Sequence, residues 1–325
     1  MAVPPVQPSS ASPAAPPPPS LASAPVARPP APLSSRAVQR GLLATVAAFL
    51  IWGLLPLYLR PLRSVPPLEV MSHRILWSAV LLLAWLGFRG GYRDVASALA
   101  DGRTRWRLML CALLISCNWL GFVWAVSVGR TLDASLGYFI NPLLNVLLGV
   151  LVLSERLTRL RWAAVSLATA GVLWLALAAG EVPWIALMLA SSFATYGLIR
   201  KIIPVEAVVG LAAETTLLAP LALGYLVFVQ LHGGGTFGSG QGWLTPWLML
   251  GGLVTALPLG LFAYGARQIP YATVGLIQFL GPTLQFATGL FVFGEPFSGT
   301  RSFGFALIWT ALGVYAAEGV YTRRL

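Results

Sequence analysis

Two prolines stand in apolar stretches among residues able to do polar chemistry. Around Pro142 are Tyr138, Asn141 and Asn145; around Pro282 are Gln278 and Gln285. The i, i+3, i+7 spacing of Tyr138, Asn141 and Asn145 puts them on one helix face. Proline has no N–H, so within a helix the carbonyls of Tyr138 and Gln278 lose their partners. Side-chain and backbone polar groups are thus offered inside apolar runs, which a bilayer tolerates where a cavity or another helix satisfies them. The chemistry is non-covalent: hydrogen bonding to a small molecule, or across packed helices. A second set is ionisable. Arg74 lies in an apolar run beside His73, with Trp77 four residues from His73, and Glu214 is the one carboxylate far from a predicted helix end. A charge near mid-bilayer costs roughly 2.5–3.5 kcal/mol on insertion scales and marks a functional candidate. His73 is a proton site or a buried hydrogen-bonding group. Asn118, Trp119 and Trp52 add a polar and aromatic lining, with core packing the alternative for the tryptophans.

The elements that must position these residues follow from composition. The chain is 57% hydrophobic and only 10% charged, against about a quarter charged in soluble domains, so an all-α polytopic membrane protein is expected, with the lipid bilayer as its surroundings. Ten apolar runs are legible, at about 41–60, 67–88, 107–128, 132–153, 160–179, 183–200, 206–231, 243–266, 271–293 and 301–321. Before them, residues 1–38 are rich in Pro, Ala and Ser and read as a disordered tail. Of the 21 basic residues, sixteen fall on the N-terminal side of the membrane and four (Arg60, Arg63, Arg130 and Arg301) on the other, with Arg74 inside a helix. Positive loops stay inside, so both termini are expected in the cytoplasm. The net charge of +11 is thereby assigned to topology, and no nucleic acid is expected as a partner. Cys111 and Cys117, six residues apart on one helix, are about 9 Å apart and too far for a disulfide.

Shifted by 140 residues, Leu136–Glu155 falls on Leu276–Glu295: Phe139 meets Phe279, Pro142 meets Pro282, Asn145 meets Gln285, Gly149 meets Gly289 and Glu155 meets Glu295. The Pro142 run is the fourth and the Pro282 run the ninth, an odd offset of five, so the repeat is inverted. Its halves are 39–180 and 181–325. Inverted repeats with interrupted helices at matching positions mark secondary transporters, with the site near the midplane. By axial rise Arg74 lies about 10 Å below the outer end of its helix and Glu214 about 14 Å above the inner end of the corresponding one, close enough in depth to pair. Glu214 is the proton-coupling candidate. Glu155 and Glu295, at helix ends, are expected to be solvated or paired with loop arginines. There is no G-x-x-x-x-G-K loop and no H-E-x-x-H or G-x-S-x-G motif, and the only lysine, Lys201, follows Arg200. His73 and His232 lie far apart and the cysteines are not clustered, so neither metal nor cofactor is expected. A non-enzymatic transporter of small molecules remains, with a non-transporting membrane scaffold or sensor as the alternative.

Ten helices in two inverted halves resemble the EamA-type members of the drug/metabolite transporter superfamily. The helix ends Ser154-Glu155-Arg156 and Gly294-Glu295-Pro296 are similar to the Gly-Glu closing that domain's fourth helix, with Ser replacing Gly in the first half. More narrowly, His73-Arg74-Ile75-Leu76-Trp77-Ser78, Asn118-Trp119, Ser135 to Pro142, Tyr196 to Lys201 and Gly281-Pro282-Thr283-Leu284 resemble the RarD group. The resemblance spans residue 40 to the end, and the proline-rich tail departs from it. It implies an inner-membrane permease linked by name to chloramphenicol sensitivity, without specifying a substrate or proton coupling. The two halves in one chain suggest a functional monomer.

Overall fold

A backbone in lipid must satisfy its own hydrogen bonds, and a helix does so within one segment. The computed structural model describes residues 35–153, 158–179, 182–266, 268–269 and 277–321, and every regular element among them is helical. Glu155 and the tail to residue 34 lie outside the described residues. The helices are α1 (Ser35–Gly53), α2 (Leu55–Leu59, continued by a 3-10 turn, Arg60–Leu62), α3 (Pro67–Phe88), α4 (Tyr92–Ala100), α5 (Gly102–Ser127), α6 (Thr131–Leu153), α7 (Arg159–Ala179), α8 (Trp184–Ile202), α9 (Ala207–Leu231), α10 (Leu244–Ala266), α11 (Leu280–Ala287, continued by a π-turn, Thr288–Val292) and α12 (Gly299–Tyr321). Four of these, α3, α5, α9 and α10, are long and apolar enough to cross a membrane, and α1 with α2 makes a fifth if that bent pair is one span. Large apolar side chains such as Leu43, Leu151, Leu177, Leu221 and Phe228 point outward, which suits hydrocarbon rather than water.

Chain breaks have identifiable causes. α1 and α2 meet at 40° because Pro56 lacks the N–H that the carbonyl of Trp52 would use. Gln285 of α11 supplies the missing donor, its Nε2 at 3.1 Å from that carbonyl. Asp101 caps α5 by accepting from the backbone N–H of Thr104 at 2.9 Å. The short helix α4 occupies what reads in sequence as a cytoplasmic loop; Val95 and Ala98 bury one face against the core beside α5 and α9.

The two proline stretches differ in structure. α6 runs through Pro142 without a break, whereas Pro282 falls in the first turn of α11, where a missing N–H leaves no helical bond unmade. The second stretch then widens into the π-turn and leaves the helix at Gly294, whose φ of +67° belongs to the region that favours glycine. Sequence equivalence at these prolines therefore does not carry over into equal local geometry. The first and last parts of the chain interlock: α1 and α3 pack on α10, α3 on α9, α5 and α6 on α8, and α7 on α12.

Candidate functional site

Arg74 is carried into the bundle by α3 and is 3% exposed. Gly251 of α10 makes room for its stem: a Cβ there would lie 2.9 Å from Arg74 Cγ and 2.7 Å from the Tyr58 hydroxyl. Arg74 Nε donates to Thr255 Oγ1 at 3.1 Å, its guanidinium carbon sits 5.3 Å from the Trp119 ring centroid, and Nη1 has no partner. Tyr58 and Tyr138 are near enough to interact with it electrostatically. Tyr58 is fixed to α10 by a reciprocal clasp, its hydroxyl donating to the Trp247 carbonyl and the Trp247 indole to the Tyr58 carbonyl, with the rings stacked.

Beside Trp119, Asn118 is fully buried and fully used. Its Nδ2 donates to the Leu189 carbonyl at 2.8 Å and to Ser192 Oγ at 3.0 Å, and its Oδ1 accepts from the Tyr138 hydroxyl at 3.0 Å. It ties α5, α6 and α8 together and holds Tyr138 in place. Four of the sequence candidates, Arg74, Trp119, Asn118 and Tyr138, thus form one connected group. Trp52 and Gln285 form another, through the carbonyl contact above and the rings of Phe49 and Phe262 against Trp52. Asn141 is buried with Oδ1 unpartnered, Gln278 is half-buried in the turn before α11, and Asn145 lies on α6 with a side chain outside the described residues.

His73 neither donates nor accepts a hydrogen bond; its buried ring stacks on Phe237 at 5.0 Å. Phe237 also stacks on Trp77, and the loop that carries it is held by Glu69, whose Oε1 accepts from both the N–H and the hydroxyl of Thr236 at 2.8 Å.

Arg74 and Glu214 do not pair, contrary to the sequence expectation. Glu214 is 1% exposed on α9 and faces α8: Arg200 Nε lies 3.6 Å from its Oε1, and the Tyr196 hydroxyl donates to Oε2 at 3.3 Å. Similar depth along the membrane normal left the direction around each helix open, and Arg74 points to α10 instead. Tyr196 and Arg200 were passed over in sequence because Arg200 reads as a loop charge. Their i, i+4 spacing on one helix was the available signal; Thr255 and Phe237 gave none.

Residues 39–177 match the EamA-like transporter family. YojE of Bacillus subtilis, named an uncharacterized transporter, is 43% identical over 293 residues, covering 88% of this chain and 96% of that one. The chain belongs to the EamA-like transporter family. Protein RarD of Escherichia coli is 38% identical over 289 residues, 89% of this chain and 98% of the relative, which makes this a RarD-like EamA protein of the drug/metabolite transporter superfamily. A crystal structure of a protein 23% identical to it superposes with a TM-score of 0.54 over 85% of this chain and 96% of that one, a likeness of fold alone. Family and apolar helices together make it a multi-pass membrane protein.

The second Gly-Glu of this EamA chain has a structural job that corrects its expected place in solvent or beside an arginine. Glu295 is buried, and its two carboxylate oxygens accept from the backbone N–H groups of Thr131 and Leu132, each at 2.8 Å. It caps the N-terminus of α6, where the helix dipole favours a negative charge. The left-handed Gly294 turns the chain so that Glu295 reaches back.

Proposed function

We propose that the protein is a secondary-active transporter of small metabolites or drugs. In this reading ten spans form two inverted repeats, 39–180 and 181–325, in a bacterial inner membrane with both termini cytoplasmic, and one chain suffices. The observation that carries it is the buried group of Arg74, Trp119, Asn118 and Tyr138, in which a cation and aromatic rings converge from three helices with Thr255 of α10 as a fourth contact. Intramembrane charge placed among aromatic and amide groups suits ligand handling better than mere packing. Trp52, His73, Asn141, Asn145, Gln278 and Gln285 are assigned as further substrate-binding residues, and Asn118 acts by orienting Tyr138. Glu214, with Arg200 and Tyr196, is assigned the proton-coupling role. The buried acid, its cation and a phenol form a linked set whose hydrogen bonds change with protonation.

One relative, from Pseudomonas aeruginosa and 31% identical, is named chloramphenicol-sensitive protein RarD, so chloramphenicol is the first probe. Proteoliposomes holding the full chain should move radiolabelled chloramphenicol at a saturable rate above protein-free liposomes, and faster with an imposed pH gradient. A rate that matches protein-free liposomes at every concentration refutes chloramphenicol as cargo. A saturable rate indifferent to the pH gradient refutes the coupling.

A further inference from the structure

Arg74 carries a positive charge where the structure supplies no negative one. Among the described residues no acid lies within ion-pair distance of it. The buried acids of the surrounding helices face other partners: Glu214 lies against Arg200 and Tyr196, Glu69 holds Thr236 through one oxygen, and Glu295 caps the start of α6. The direct contacts of Arg74 are a neutral hydroxyl and a ring face, with the phenols of Tyr58 and Tyr138 in its surroundings, and Nη1 is left without a partner in the interior. A buried ion without a counter-ion is strongly unfavourable, and lysine or arginine retained for packing alone would be replaced by an apolar side chain at lower cost. The stem is held by α3 and α10, so only the guanidinium end is free to change partners.

We propose that Arg74 is the anion-binding element of the transport site, and that its ligands carry a single carboxylate on an aromatic or apolar body. The proposal rests on the transporter reading above and names its substrate class. A guanidinium edge matches a carboxylate with two parallel hydrogen bonds. Charge count separates the classes: one carboxylate neutralises Arg74, a phosphate group with about −1.5 to −2 charges leaves an excess at the same depth, and an amine adds to the existing charge. The body of the ligand meets Trp119 on one side of the guanidinium and the Tyr138 ring, itself 5.7 Å from Phe122, on the α6 side. Aromatic faces of this kind favour planar apolar groups.

Thermal unfolding of the purified full chain in detergent, with matched probes at equal concentration, tests this. Phenylacetate should raise Tm in a saturable way, whereas phenylacetamide and phenethylamine, which share the ring but lack the charge or reverse it, should not. Arg74→Gln should abolish the phenylacetate response and Arg74→Lys should retain part of it. If Arg74→Gln does not fold, Thr255→Val, which frees Nε and loosens the guanidinium, should raise the half-saturating phenylacetate concentration several-fold. Equal shifts from all three probes, or an unaltered phenylacetate response in these variants, overturns the proposal. Flux of the same probes in proteoliposomes at pH 8 separates the two readings. Protein-dependent movement of the amide but not the carboxylate overturns the anion site and leaves transport standing. Arg74-dependent stabilisation by phenylacetate without protein-dependent flux of any probe supports the anion site and overturns transport.

Discussion

Replacing Glu295 with alanine removes the side chain that caps the N-terminus of α6. Both lost bonds are charge-assisted, at 2.8 Å, from the N–H groups of Thr131 and Leu132. A hydrogen bond to a charged group contributes about 1.5–3 kcal/mol. The first-turn N–H groups of a helix are unpaired in any case unless capped, and water at the helix end recovers part of the loss. The lower end of the range therefore applies, a total of about 2–4 kcal/mol with the helix-dipole contribution included. At roughly 2 °C per kcal/mol for a chain of this size, Tm should fall by about 4–8 °C. Cys111 is buried and Cys117 exposed, both with free thiols. In a Cys117→Ser background a thiol-reactive dye therefore reports unfolding through Cys111. Glu295→Gln keeps one acceptor and turns an amide N–H toward the second donor, so it should lose at least half of the same stability. A Tm for Glu295→Ala within 1 °C of its parent would show that α6 does not depend on the cap.

Four further outcomes are expected. Glu214→Gln should insert normally and remove the response of flux to an imposed pH gradient; if it is unstable instead, Arg200→Gln in the same chain should restore stability, because the pair is with Arg200 and not Arg74. A Cβ at Gly210 would overlap the Arg200 guanidinium, so Gly210→Ala should push Arg200 off Glu214, destabilise the fold by about 1–3 kcal/mol in dye-monitored unfolding, and leave Gly224→Ala, where a Cβ meets nothing, as the neutral control. Phe237→Ala should uncover His73, read as faster modification by diethylpyrocarbonate in a His232→Gln background; an unchanged rate would mean the loop does not cover the ring. Reporter fusions after Leu231 should read extracytoplasmic and those after Arg89 cytoplasmic, and the reverse at either place would break the inverted-repeat proposal.

Position along a helix axis was readable from sequence; direction around it was not. The apolar runs foretold helices such as α3, α6, α9 and α10 nearly to the residue, because an uninterrupted stretch of hydrocarbon side chains fixes where a segment begins and ends. The same one-dimensional signal put Arg74 and Glu214 at similar depth. It could not say that one faces α10 and the other α8, since facing depends on how helices pack across a chain separation of 181 residues in the Arg74–Thr255 case. α4 was missed because its buried residues, Val95 and Ala98, are too few to register in an apolar count. The proline rule succeeded where it was not applied: Pro56 frees the Trp52 carbonyl and Gln285 fills it. At Pro282 the rule was applied and had no consequence, because the proline falls in a first helical turn. The repeat signal drew attention to Glu295 without its purpose, because a cap joins a side chain to backbone groups more than 160 residues away. What the sequence does disclose about Arg74 is its expense, a charge set deep in apolar chain. What only the three-dimensional arrangement adds is that among the described residues no acid comes within ion-pair distance of that charge, which is the observation the proposed anion site rests on.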